Sequence, residues 1–155
     1  MSRARDAAGR PVPAGSPDAV EDVPEQALPP AQALALSRAL LAEGRPFFAH
    51  DVLEARWKAA PADERDLWQG LAQVCVGLTH LQRGNPVGGV RLLRRGAERL
   101  EGWSGTGDAH GVDVAAVAAG ARAHADAEEA GRPGAGVGRQ PAPGAWLVAL
   151  LPGRS

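Results

Sequence analysis

The chain contains no isoleucine and no tyrosine, and only one cysteine, one methionine and one lysine. A lone Cys75 cannot close an internal disulfide, which excludes a disulfide-stapled scaffold. With no continuous apolar export signal in the first thirty residues, the expected compartment is a reducing cytoplasm. No stretch approaches the ~20 apolar residues that a membrane-spanning helix needs. The formal net charge of −1 leaves the whole chain without an electrostatic footprint for DNA or RNA. Strong core formers are scarce as well. Sixteen Leu, thirteen Val and two Phe stand in 155 residues, about a fifth of the chain, which is the border at which full-length packing fails.

What the chain does have is unevenly placed. Residues 31–103 hold twelve Leu, five Val, both Phe and three of the four Trp. Residues 1–30 hold only Leu28, Val12, Val20 and Val23 among six prolines. Such a segment cannot offset its own chain entropy by apolar burial, so it reads as a disordered leader. Residues 131–145 are Gly, Pro and Ala with little else, the composition of a flexible linker. The apolar segment 146–151 that follows is expected to dock back on the folded domain. The expected organisation is a leader over 1–30, a helical domain over 31–129 and a tail over 130–155.

Five helices can be placed. The first spans about 31–43, with Leu34, Leu41 and Ala42 as its apolar stripe and Gly44 as its stop. Pro46 suits a first helical position and opens the second, which Pro61 ends. Asp63 and Glu64 open the third, which closes at Gly84. Asn85-Pro86 is a cap followed by a first-turn proline for the fourth, whose apolar face is Val90, Leu93, Ala97 and Leu100. After a Gly-rich loop, the fifth runs over about 113–129 with Val114, Val117, Ala118 and Ala121 on one face. The expected class is all-α, a small antiparallel bundle with short connections.

One constellation carries chemistry. From Leu67 to Gln82 the third helix has no charged residue and is apolar nearly all round, the pattern of a buried central helix. Trp68 belongs to its apolar girdle, and Gln69, Gln73 and His80 form its narrow polar stripe. On the second helix Phe47, His50, Leu53, Glu54 and Trp57 share an arc of roughly 120° at helical pitch, with Asp51, Ala55 and Lys58 outside it. Burying that arc takes His50 and Glu54 from water, and a buried carboxylate needs a donor. The expectation is that the two helices pack these stripes together as one buried polar network.

The run Arg45-Pro46-Phe47-Phe48-Ala49-His50-Asp51-Val52-Leu53-Glu54-Ala55-Arg56-Trp57-Lys58 resembles the signature of the family called domain of unknown function (DUF) 309. Gln69-Gly70-Leu71-Ala72-Gln73 and His80-Leu81-Gln82-Arg83-Gly84-Asn85 resemble its second and third blocks. The likeness covers about residues 34–103, with an upper limit near 129. His50, Glu54, Trp57, Gln69, Gln73, His80 and Asn85 fall on the family's motif positions, and Asp51 stands where it more often has Glu. The resemblance implies a small helical bundle and brings no activity with it.

Several roles can be weighed against these residues. His50 and Glu54 at i,i+4, with His80 and Gln73 from the next helix, form a chemically sensible ligand set for Zn or Fe. The same spacing is common in helices with no metal. Catalysis lacks a nucleophile: Ser104 and Thr106 sit in a loop, and Cys75 lies among apolar residues where thiols are inert. Arg91, Arg94, Arg95 and Arg99 share one side of the fourth helix, but Glu98 is there too and no aromatic interleaves, which argues against nucleic acid. His110 and His124 read as ordinary surface residues. The expected role is a structural or protein-interaction module with no cofactor, its partner another protein or a second copy of the chain. The alternative is a metal-binding protein or metal-dependent hydrolase that uses His50, Glu54 and His80.

Overall fold

The structure, a computed structural model, describes residues 4–103, 105, 109–131 and 144–153. Ser104, Thr106 and most of the expected linker lie outside the described residues. The elements are α1 (Pro30–Ala42), α2 (Pro46–Ala59), a 3-10 turn (Ala62–Glu64), α3 (Arg65–Gln82), α4 (Pro86–Gly102), α5 (Val114–Glu129) and a short α6 (Ala145–Leu150). Among the described residues there is no strand, only an isolated bridge between Arg5 and Pro11. The fold is the expected all-α bundle.

The helix ends follow from local chemistry. Pro46 and Pro86 each occupy a first-turn position, where a missing N–H costs nothing. Asn85 Oδ1 accepts the Gly88 N–H at 3.2 Å, and Asp113 Oδ1 accepts the Ala116 N–H at 3.1 Å. Gly44 and Gly84, just past α1 and α3, take positive φ values of 73° and 81°, the conformation that only glycine adopts without strain.

Successive helices pack in order, α1 on α2, α2 on α3, α3 on α4 and α4 on α5, while α6 touches both α1 and α5. The central α3 buries Leu67, Trp68, Leu71, Val74, Cys75 and Leu78. On α1 the buried set is Ala33, Leu34, Ser37, Leu40 and Leu41, whereas Ala42 of the expected stripe is exposed. The α3–α4 seam is made of glycine. A Cβ on Gly77 would sit 3.1 Å from the Gly89 carbonyl oxygen, and one on Gly89 would sit 3.1 Å from that of Gly77. Gly70 and Gly96 form the same reciprocal pair two turns away. Glycines seven residues apart on each antiparallel helix thus let the backbones meet directly.

Residues 4–29 have irregular backbone and lie against the bundle. Ala8 is buried, and Val20, Val23 and Leu28 pack partly on the core. The Arg83 side chain donates to the Ala8 carbonyl at 2.9 Å, and Arg56 donates to that of Leu28 at 3.0 Å. The Phe47 ring lies against Gly9, with the Arg5 and Arg83 guanidinium carbons 5.1 and 5.3 Å from its centroid. At the other end, Leu147 of α6 is buried in the core.

Candidate functional site

Five buried residues of α2 (Pro46, Phe48, Ala49, Val52 and Leu53) face the bundle. Phe47, His50, Glu54 and Trp57 form the next strip round the helix and are half-buried. The helix is therefore rotated from the expected orientation. Ala49 and Val52 turn inward, and Leu53 is the one member of the expected arc that is fully buried.

Within the strip His50 Nε2 donates to Glu54 Oε2 at 2.9 Å. Lys58 Nζ, one turn further, lies 3.2 Å from Glu54 Oε1. Sequence reasoning set Lys58 outside the stripe, although its i,i+4 spacing from Glu54 was the available signal. Burial opposes ionisation of Glu54, but the hydrogen bond from Lys58 and the neighbouring His50 outweigh it, and the carboxyl sits below its ordinary value. Asp51 lies on the other side of the ring, its Oδ1 3.5 Å from His50 Nδ1, too far for a hydrogen bond. Burial, with Glu54 nearby, raises the Asp51 carboxyl above its ordinary value despite the attraction of His50. Nε2 is thus hydrogen-bonded and the buried Nδ1 is not, and the three groups do not converge on one point.

In the polar stripe of α3, Gln73 and His80 tie to other partners. Gln69, Gln73 and His80 are half-buried. Gln73 Oε1 accepts from Arg99 Nε of α4 at 3.2 Å, and Arg99 also reaches Asp66 at 2.9 Å. Asn85 Nδ2 donates to His80 Nδ1 at 2.9 Å. That bond fixes the Asn85 amide so that its oxygen caps α4. The expected single network is therefore replaced by three local links: within α2, across the α3–α4 seam, and at the α3–α4 turn. The reason is rotational, because both stripes lie beside the packed helix faces rather than on them. Among the described residues no group of three or more His, Cys, Asp or Glu could hold a metal ion.

Two histidines read as surface residues have half-buried partners. His110 Nε2 donates to Glu64 Oε1 at 2.8 Å, and the same oxygen accepts from Trp68 Nε1 at 3.1 Å. The His110 ring lies over Trp68 at 5.6 Å, on a backbone with φ of 54°. His124 Nδ1 accepts from Trp146 Nε1 at 3.0 Å. Neither pairing has a local sequence signal, since the partners lie 46 and 22 residues apart. On α4 Arg94 is held by Asp126 and Glu129, each at 2.8 Å. No helix among the described residues is long and apolar enough to cross a membrane.

Comparison with curated proteins and comparison with solved structures each give no match. A family model does match, over a segment that takes in most of α1, all of α2 and α3 and the start of α4. Residues 34–92, which carry the His50, Glu54, Gln73, His80 and Asn85 links just described, match the model of the family described as Domain of unknown function (DUF309).

Proposed function

We propose that the chain is a cytoplasmic structural or protein-interaction module whose motif residues set helix register. One observation carries this reading: most of the motif's polar side chains bond to the fold itself. Glu54 is met by His50 and Lys58, Gln73 by Arg99, and His80 by the Asn85 cap. Phe47 is covered by Gly9 and the Arg5 and Arg83 guanidinium groups, so the half-buried Trp57, with the charged groups beside it, is the aromatic that α2 offers to a protein contact. A second copy of the chain or another protein fits that surface. The buried, protonated Cys75 thiol suits a reducing compartment.

A second reading is favoured by the His50–Glu54 pair, which puts an imidazole and a carboxylate side by side on one helix. This is a metal-binding protein or metal-dependent hydrolase using His50, Glu54 and His80 for Zn or Fe, a set that the described residues do not gather into one metal-holding group. Elemental analysis of the purified full chain and of His50→Ala separates the two. No stoichiometric metal, with a lower melting temperature in His50→Ala, supports the structural module. Stoichiometric Zn or Fe that disappears in the variant overturns it. For the interaction role, sedimentation of the full chain is compared with Trp57→Asp across concentration. Self-association weakened by the substitution supports a second copy as partner, and identical association in the two chains rejects this surface.

A further inference from the structure

The six residues of α6 are held by contacts that are unusually specific for so short a helix. The Trp146 ring lies over α5 where Gly120 leaves room, since a Cβ there would come 2.5 Å from Trp146 Cε3. One turn further along α5, His124 Nδ1 accepts the indole N–H at 3.0 Å. On the other side, Arg38 of α1 donates to the Val148 carbonyl at 3.0 Å, and Leu147 is buried between. Gly144, which leads into α6, packs against Leu78 and Leu41. α6 is therefore held in the groove between α1 and α5 by a ring packed over Gly120, a directional hydrogen bond to His124, an apolar socket for Leu147 and the Arg38 donor on its backbone.

The hydrogen bond has a protonation requirement. A neutral imidazole can accept at Nδ1 while Nε2 carries the hydrogen, whereas an imidazolium has N–H on both nitrogens. A protonated His124 would point a donor at the Trp146 donor. We propose that α6 is a pH-sensitive latch on the α1–α5 groove, and that proton uptake at His124 breaks the Trp146 bond and undocks α6.

The surrounding charges are compatible with such a switch. Burial holds His124 below its ordinary value of 6.5, and Glu128, one turn on, pulls weakly the other way. The sequence of α6, AWLVAL, has no titratable side chain. From α1, Arg38 is engaged by the Val148 carbonyl, and from α4, Arg94 is engaged by Asp126 and Glu129. The sign follows from linkage. A histidine lowered in the docked state binds its proton more readily once undocked. Docking is therefore complete above the ordinary histidine value and is lost as pH falls through the lowered one.

Hydrogen exchange of the full chain, expressed as protection factors at about pH 7.5 and about pH 5, tests the latch. Amides of 145–151 are expected to lose about tenfold or more of their protection at the lower pH, while those of 74–78 in α3 keep theirs. His124→Gln offers a permanently neutral acceptor to Trp146 and is expected to hold 145–151 protected at both values. Equal protection of 145–151 at the two pH values in the unsubstituted chain overturns the proposal. So does equal loss in His124→Gln, or loss in 74–78 in step with 145–151.

Discussion

Gly70 of α3 and Gly96 of α4 face each other so closely that a Cβ on either would lie 3.3 or 3.0 Å from the other's carbonyl oxygen. The two positions differ in what else a methyl would meet. At Gly70 it meets Cδ2 and Cγ of the Leu100 side chain, both at 2.7 Å, while at Gly96 it meets the Val74 side chain at 2.8 Å and the Val74 backbone nitrogen at 3.0 Å. Backbone cannot step aside as a leucine side chain can. Gly96→Ala is expected to destabilise the bundle by about 1–3 kcal/mol, and Gly70→Ala by less. Gly102, at the end of α4, has nothing within 4 Å of its Cβ position. Gly102→Ala is expected to be neutral or stabilising by up to about 1 kcal/mol through helix propensity. Urea unfolding of the three variants checks the order.

Glu54 gives a graded test of the α2 strip. Its carboxylate is about two-fifths exposed and bonds one residue on each side along the helix. Pairs of this kind contribute about 0.3–0.5 kcal/mol each. Glu54→Gln keeps an acceptor and is expected to cost less than Glu54→Ala; equal losses would count against the pairing. Because the native carboxyl is held below its ordinary value, its contribution is complete above that value and fades as pH falls through the lowered one. The difference between the wild-type chain and Glu54→Ala should therefore shrink on acidification in thermal melts.

Glu64 is a stronger anchor. Its oxygen serves both His110 and Trp68, and Trp68 is fully buried. Glu64→Ala strands the indole N–H in the core, a loss of about 1–3 kcal/mol. Glu64→Gln can still accept from Trp68 and is expected to recover part of that loss. Equilibrium unfolding followed by tryptophan fluorescence distinguishes them.

Cys75 is fully buried, and burial pushes its thiol up to about 12. In the folded chain near neutral pH it is expected to resist thiol reagents, and in urea to react at the rate of a free cysteine. Reaction before the unfolding transition would show that α3 is not the closed centre described here.

The helix ends were readable because they depend on neighbours in sequence. Pro46, Asn85-Pro86, Asp113 and Gly84 act within one turn, and each falls where local chemistry places it. Rotation about a helix axis was harder to read. On α2, His50 and Glu54 lie at the edge of an arc that also holds Leu53, and periodicity alone does not say which edge faces in. Small Ala49 and Val52 turn inward, which a count of large apolar groups does not reveal. The Gly70, Gly77, Gly89 and Gly96 seam was hidden for a related reason: glycine carries no periodic hydrophobic signal. The partners of His110 and His124 are set by the tertiary fold, and no spacing in the chain announces them.

The bond from Arg38 to the Val148 carbonyl joins residues 110 positions apart, whereas most of the bundle is assembled from sequence neighbours. Loop closure over that separation carries a larger entropic cost than forming any adjacent helical hairpin. A six-residue helix also cannot form ahead of its docking surface. The order of folding follows: α1 to α5 condense first along the chain, and the contact between the two outer helices made through α6 arrives last.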